Sequence, residues 1–135
     1  MKKHIYQTRV RYAEVDQMGV VYYANYLAYL ESARTGLLRE SGFPYGKMEE
    51  KGFLLPVTEC HVKYKGSARF DEVITVEATL GYLKNASIKF IYTVRNEAGE
   101  TILTGFTIHA LINSEWKIIS IPGELKASLS EYVEA

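Results

Sequence analysis

A single change of hydrophobic period divides this chain. From Tyr23 to Glu40 the apolar residues recur at helical spacing. Tyr26, Leu30, Ala33 and Leu37 fall at i, i+4, i+7 and i+11, flanked by Leu27 and Leu38, while Glu31, Arg34 and Arg39 lie off the stripe. From Leu54 to Ile121 the period becomes two. Thr58, Cys60, Val62 and Tyr64 alternate with Glu59, His61 and Lys63; Ile74, Val76, Ala78, Leu80 and Tyr82 alternate with Thr75, Glu77 and Thr79. Ile88, Phe90, Tyr92 and Val94 alternate with Lys89, Thr93 and Arg95. A Gly-containing turn at Asn96 to Glu100 leads into Thr101 to Ile112, and Asn113-Ser114-Glu115 turns the chain into a further strand, Trp116 to Ile121. Ahead of the helix, His4 to Tyr12 also alternates, with Tyr6, Thr8, Val10 and Tyr12 on one face. One strand, one long helix and a run of turn-linked strands predict an α+β fold, the helix covering one face of an antiparallel sheet of five or six strands.

The punctuation agrees. Gly42 stops the long helix and Pro44 prevents its continuation, a short second helix fits Tyr45 to Lys51, and Pro122-Gly123 precedes a C-terminal helix carrying Leu125, Leu129 and Tyr132. No repeat or linker interrupts the 135 residues, so a single domain over 1–135 is expected. A chain of this size cannot cover the second face and both edges of such a sheet, and self-association is the simplest remedy.

Sixteen Lys+Arg against sixteen Asp+Glu give no net charge, which disfavours generic nucleic-acid binding. The single cysteine cannot form an internal disulfide. Met1-Lys2-Lys3-His4 leads straight into alternation, and the longest uncharged run, Gln17 to Leu30, falls short of the ~18–20 residues of a membrane span. A cytoplasmic protein with no membrane segment is the expectation. Neither a G-x-S-x-G elbow nor a glycine-rich phosphate loop occurs. His4, His61 and His109 are dispersed and read as surface or packed histidines, Cys60 reads as a core thiol, and no metal or cofactor is expected.

What remains is the junction Tyr12 to Tyr26, where an acid on a Gly-containing loop runs into the start of an apolar helix. The first turn of a helix carries unpaired N–H groups and a partial positive charge, which can hold a carbonyl oxygen as it becomes an oxyanion. Asp16 would attack the carbonyl or activate water there. The competing reading makes Asp16 a loop acid closing a turn.

The stretch Tyr12-x-x-x-Asp16-x-x-Gly19-Val20-Val21-Tyr22-x-x-Asn25-Tyr26, continuing to Glu31-x-Ala33-Arg34, resembles the hotdog-fold acyl-CoA thioesterases of the 4-hydroxybenzoyl-CoA thioesterase type. The run Tyr64-x-x-x-Ala68-Arg69-Phe70-Asp71-Glu72-Val73 resembles the same family, and the likeness covers nearly the whole chain. The resemblance implies a long helix wrapped by an antiparallel sheet, and a dimer or dimer of dimers whose protomers pair sheet edges to form the active sites. It also implies hydrolysis of an acyl-CoA without metal or redox cofactor. It makes the acid at Asp16 the nucleophile or general base, and the backbone N–H of Tyr23 the group that polarises the thioester carbonyl. Many short-chain relatives carry histidine where this chain has Tyr23; the 4-hydroxybenzoyl branch has tyrosine, which tilts the expected acyl group towards an aromatic or bulky one. A second branch uses a helix glutamate, which makes Glu31 a rival carboxylate, although it lies roughly 12 Å along the helix from Tyr23. Its plainer role is an i,i+3 ion pair with Arg34. Lys65, Arg69 and Lys84, with Lys63 and Lys89, are candidates for holding the phosphates of coenzyme A. The alternative function is a non-catalytic acyl-CoA-binding or regulatory hotdog protein; a hydratase would need an Asp–His pair at the helix junction, which the sequence lacks.

Overall fold

The computed structural model describes residues 1–43 and 45–134. Five strands, β1 (His4–Arg9), β2 (Val57–Tyr64), β3 (Val73–Leu83), β4 (Ser87–Arg95) and β5 (Thr101–Ala110), form one antiparallel sheet in the order β1-β3-β4-β5-β2. The long helix α1 (Asn25–Glu40) lies against one face of it, over β1 and β3. Two short helices, α2 (Tyr45–Glu50) and α3 (Gly123–Leu129), complete the regular structure with 3₁₀ turns at Tyr12–Glu14 and Ser130–Tyr132.

The two hydrophobic periods meet in the core. Tyr26, Leu30, Ala33 and Leu37 of α1 are buried against Ile74, Val76, Ala78 and Leu80 of β3 and against Ile88, Phe90, Tyr92 and Val94 of β4. Leu125, Leu129 and Tyr132 close one end of the core, as their spacing predicts. Helix α1 stops ahead of Gly42 for a definite reason. Gly42 takes φ +93°, its N–H donates to Arg39 O, and the Phe43 N–H donates to Leu38 O, while Phe43 and Leu38 are both buried. That is a Schellman stop with its hydrophobic contact. The expected role of Pro44 falls outside the described residues.

Four expectations are corrected. The first strand ends at Arg9, so Tyr12 is not an inward strand residue; it sits in a 3₁₀ turn and is 77% exposed. The turn forms because the Arg11 N–H donates to the Glu14 carboxylate, curling the chain away from the sheet. Helix α1 begins at Asn25 rather than Tyr23, and Leu27 points outward. Trp116 to Ile121 makes no strand: Trp116 takes φ +62°, and only Ile118 bridges back, to Ile112. The sheet therefore has five strands.

The fourth correction concerns β2. The alternation is real, since Cys60, Val62 and Tyr64 pair across from Thr107, Gly105 and Leu103 of β5. Yet β2 is an edge strand that α1 meets only at Tyr64, and apart from the half-buried Val62 every residue in it is exposed, Cys60 included. An apolar strand face was found where expected, but one chain leaves it uncovered.

Candidate active site

The loop after the first 3₁₀ turn is a tight hairpin. Val15 bridges Val21, the Asp16 N–H donates to Val20 O at 2.9 Å, and the Gly19 N–H donates to Asp16 O at 3.0 Å. Gly19 takes φ +79°, a conformation side chains disfavour, which explains a glycine there. The Asp16 Oδ1 accepts from the Met18 N–H at 2.8 Å. The turn reading of Asp16 thus holds for one oxygen, while among the described residues no donor meets Oδ2. The hairpin rests on the segment before β3: Val21 N–H donates to Ala68 O, Val20 bridges Arg69, and the Ala68 N–H donates to the buried Tyr26 hydroxyl of α1. Around Asp16 lies an open hollow of about 620 Å³ lined by Tyr12, Val15, Gln17, Gly19 and Phe70. The Tyr12 and Phe70 rings meet edge to face with centroids 5.5 Å apart, walling one side.

Helix α1 starts without a side-chain cap on Ala24. The Asn25 N–H donates to Tyr22 O, whereas among the described residues the N–H groups of Tyr23 and Ala24 meet no protein acceptor. Those are the free donors that an oxyanion needs. Tyr23 O accepts from the Tyr64 hydroxyl at 2.9 Å, which ties the helix start to the edge strand β2. Tyr22 and Tyr23 stand ring to ring at 4.8 Å. The Tyr22 hydroxyl pKa is raised, first by its bond to the Tyr23 hydroxyl and, least, by the Asp16 charge. Asp16 and Tyr23 therefore share one junction, but within one chain Tyr23 does not line the hollow around Asp16.

The other expected residues are scattered. Arg69 stands beside the Asp16 hairpin, its Nη1 3.8 Å from where a β-carbon on Gly19 would lie. Lys65 follows β2, its backbone N–H donating to the Ile102 carbonyl at one end of β5, while Lys84 precedes β4 near Ala110 at the other end, with its Nζ 4.3 Å from the Tyr82 ring. Lys65, Arg69 and Lys84 are not one cluster in a single chain. Lys63 and Lys89 do share a hollow, with His61 and Phe106, on the sheet face away from α1.

Glu31 is exposed at the rim of a cavity of about 250 Å³ lined by Arg34, Thr35, Leu38, Leu55, Phe90 and His109. No Glu31–Arg34 ion pair forms among the described residues; Arg34 lies instead beside the Tyr92 hydroxyl. Behind it runs a buried polar chain. His109 Nδ1 bonds Leu55 O at 2.9 Å, which requires Nδ1–H, so Nε2 accepts from the Thr107 hydroxyl at 2.8 Å and Thr107 Oγ1 accepts from Tyr92 at 2.7 Å. Burial, partly countered by the Leu55 bond, pushes the His109 pKa down to about 4. His109 is thus the packed histidine its strand position suggests, while His4 bonds Glu40 and His61 stacks on Phe106. Sequence reasoning gave no role to Glu14 or Phe70, and it took Tyr29 as an acyl-pocket or packing tyrosine rather than as a partner of Glu14. Phe70 lies in the second motif run, while Glu14 and Tyr29 stand at unspecified positions in and beside the first, and nothing in their spacing says which touch.

No described helix is long and apolar enough to cross a membrane. The Thioesterase-like superfamily pattern matches residues 10–129. YneP of Bacillus subtilis is 37% identical over 109 residues, covering 81% of this chain and 79% of its own. The acyl-CoA thioester hydrolase YbgC of Escherichia coli O157:H7 is 32% identical over 95 residues, 70% of each chain. The DHNA-CoA thioesterase of Staphylococcus aureus superposes with a TM-score of 0.86 at 32% identity, over 98% of this chain and 87% of that one. With a long helix set on a five-stranded antiparallel sheet and a family match over most of its length, the chain belongs to the Thioesterase-like superfamily of hotdog thioesterases.

Proposed function

We propose that this chain hydrolyses acyl-CoA thioesters to free acid and coenzyme A in the cytoplasm, with Asp16 as the reacting carboxylate. One observation carries the reading: Asp16 is fixed through one oxygen by the Met18 N–H, keeps the other free, and stands at the junction with an uncapped helix start. The Tyr23 N–H binds the thioester oxygen and holds the negative charge that develops on it. Asp16 then acts by one of two routes. As a general base it takes a proton from water as the water attacks the carbonyl, and the proton passes to the departing coenzyme A sulfur. As a nucleophile it displaces the thiolate to form a mixed anhydride, which water opens to regenerate the carboxylate. Neither route calls for a metal or redox cofactor. Arg69, beside the hairpin, is the cation best placed for a coenzyme A phosphate. An aromatic or bulky acyl group is favoured by the tyrosines at the junction and by the likeness to a DHNA-CoA thioesterase.

The test is thiol release across aliphatic and aromatic acyl-CoAs. Turnover of at least one thioester, fastest with an aromatic acyl group, is expected. Binding without release of thiol from any of them would favour a non-catalytic acyl-CoA-binding protein.

The active unit in this proposal is at least a dimer, formed by β2 edges whose side chains one chain leaves exposed. Two such edges pair antiparallel about a twofold axis and would cover Cys60 and Val62. Sedimentation should give a dimer or a dimer of dimers at micromolar concentration; a folded monomer that still turns over acyl-CoA would remove the shared site.

A further inference from the structure

The hairpin that carries Asp16 and the helix start that carries Tyr23 bond each other directly through Glu14, beside the indirect tie from Val21 through Ala68 to Tyr26. Its carbonyl accepts from the Tyr22 N–H at 2.9 Å and from Asn25 Nδ2 at 2.9 Å. Its carboxylate Oε1 accepts from the Arg11 N–H at 2.8 Å and from the Tyr29 hydroxyl at 3.0 Å, and Oε2 faces Arg11 Nε at 3.4 Å. The side chain is only 17% exposed. Tyr29, one turn into α1, is itself buried, and its hydroxyl spends its proton on Glu14. Glu14 thus bonds forward to the helix through backbone and side chain together, two residues before Asp16.

The geometry points to Glu14, held by Tyr29, as a positioning residue that sets where the Asp16 carboxylate stands relative to the Tyr23 N–H. This rests on the function proposed above and deepens it. Without Glu14 the hairpin would rest on the segment before β3 alone and could slide along the helix, and a displacement of ~1 Å at a reacting group costs roughly 10²-fold in rate. Glu14 blocks that slide, because moving the hairpin along α1 would break the Tyr29 and Asn25 bonds at once. Burial, followed by the bond and charge of Glu14, raises the Tyr29 pKa, so the hydroxyl remains a donor throughout the working pH range. Neither residue reaches the reacting atoms.

Tyr29→Phe and Glu14→Gln, singly and together, test this on the best substrate of the thiol-release screen. Tyr29→Phe is expected to lower kcat about tenfold, and Glu14→Gln by ~10–10²-fold, with KM within about twofold of the parent. The double variant should lose no more than the worse single one, because both act through one bond. Thermal unfolding of each variant supplies the folded fraction at the assay temperature. Unchanged kcat in Tyr29→Phe, a loss accounted for by unfolded protein, or a change confined to KM would each overturn the proposal. Should Glu14→Gln fail to fold, Tyr29→Phe, which removes one hydroxyl, decides alone. An inactive Asp16→Asn alongside fully active pin variants sinks only the pin; an active Asp16→Asn, or no turnover of any acyl-CoA, sinks the functional reading and the pin with it.

Discussion

Asp16→Asn is expected to fold as the parent chain does and to lose about 10²–10⁴-fold in kcat. Folding survives because the asparagine oxygen can still accept the Met18 N–H that now closes the turn at 2.8 Å. Chemistry does not survive, because an uncharged amide is a poor base and a poor nucleophile. Contacts to the rest of the substrate remain, so KM should move less than kcat. Glu31→Gln made in parallel separates the two carboxylates. Glu31 lines the cavity between α1 and the sheet and has no part in the Asp16 hairpin, so within one chain it serves a different place. Near-full activity in Asp16→Asn with an inactive Glu31→Gln would move the catalytic acid onto the helix.

The second large effect is on stability. His109 is held neutral with a pKa of about 4, chiefly by burial, with the Arg34 charge pushing the same way. In the unfolded chain it titrates near its ordinary 6.5. Between those values the unfolded state binds a proton that the folded state refuses. Stability therefore falls as pH drops below 6.5 and levels off below about 4. The whole effect is about 3 kcal/mol, of which roughly 2 kcal/mol appears between pH 7 and pH 5. Glu40 and Glu77 have lowered pKa values, Glu40 first through the Tyr132 hydroxyl and Glu77 first through Arg95. Their stabilisation is complete above the ordinary carboxylate value of 4.5 and is lost only as pH falls through their lowered values, so it leaves the pH 7 to 5 window to His109. Urea unfolding at pH 7 and pH 5 checks this, with His109→Gln expected to flatten the difference. An equal slope in both proteins would assign the acid sensitivity elsewhere.

Most of the fold was legible because period and burial coincide where one chain covers its own core. Tyr26, Leu30, Ala33 and Leu37 are buried as their spacing requires, and so is the even-numbered face of β4. The pattern misled at Cys60 and Trp116, for different reasons. Alternation says which face of a strand is apolar, not whether anything lies over that face, and α1 meets β2 only at its Tyr64 end, leaving Cys60 exposed. At Trp116 a left-handed turn residue broke a run whose composition suits a strand. The position of Asp16 on a loop ahead of the helix follows from Gly19 and the run of apolar residues behind it, while the hairpin pairing of Val15 with Val21 does not. The Tyr29–Glu14 bond, the Arg69 side chain beside Gly19 and the separation of Lys65 from Lys84 depend on which loops meet. Local spacing holds no record of that.

The strand order has a kinetic meaning as well. β2 leaves the ribosome early, but its only partner in the sheet is β5, whose last residue follows that of β2 by more than forty positions. β1 likewise waits for β3 across the whole of α1. A growing chain therefore carries β2 unpaired from Tyr64 to Ala110, about a third of its 135 residues, and closing so long a loop is slow compared with winding the helix. The β3-β4-β5 meander, built from neighbours in sequence, can form first and offer β5 as a ready edge. The lysine at position 63 and the glutamate at 59, outward on β2, then have a use that precedes any catalysis: they keep a waiting strand from pairing with the wrong chain.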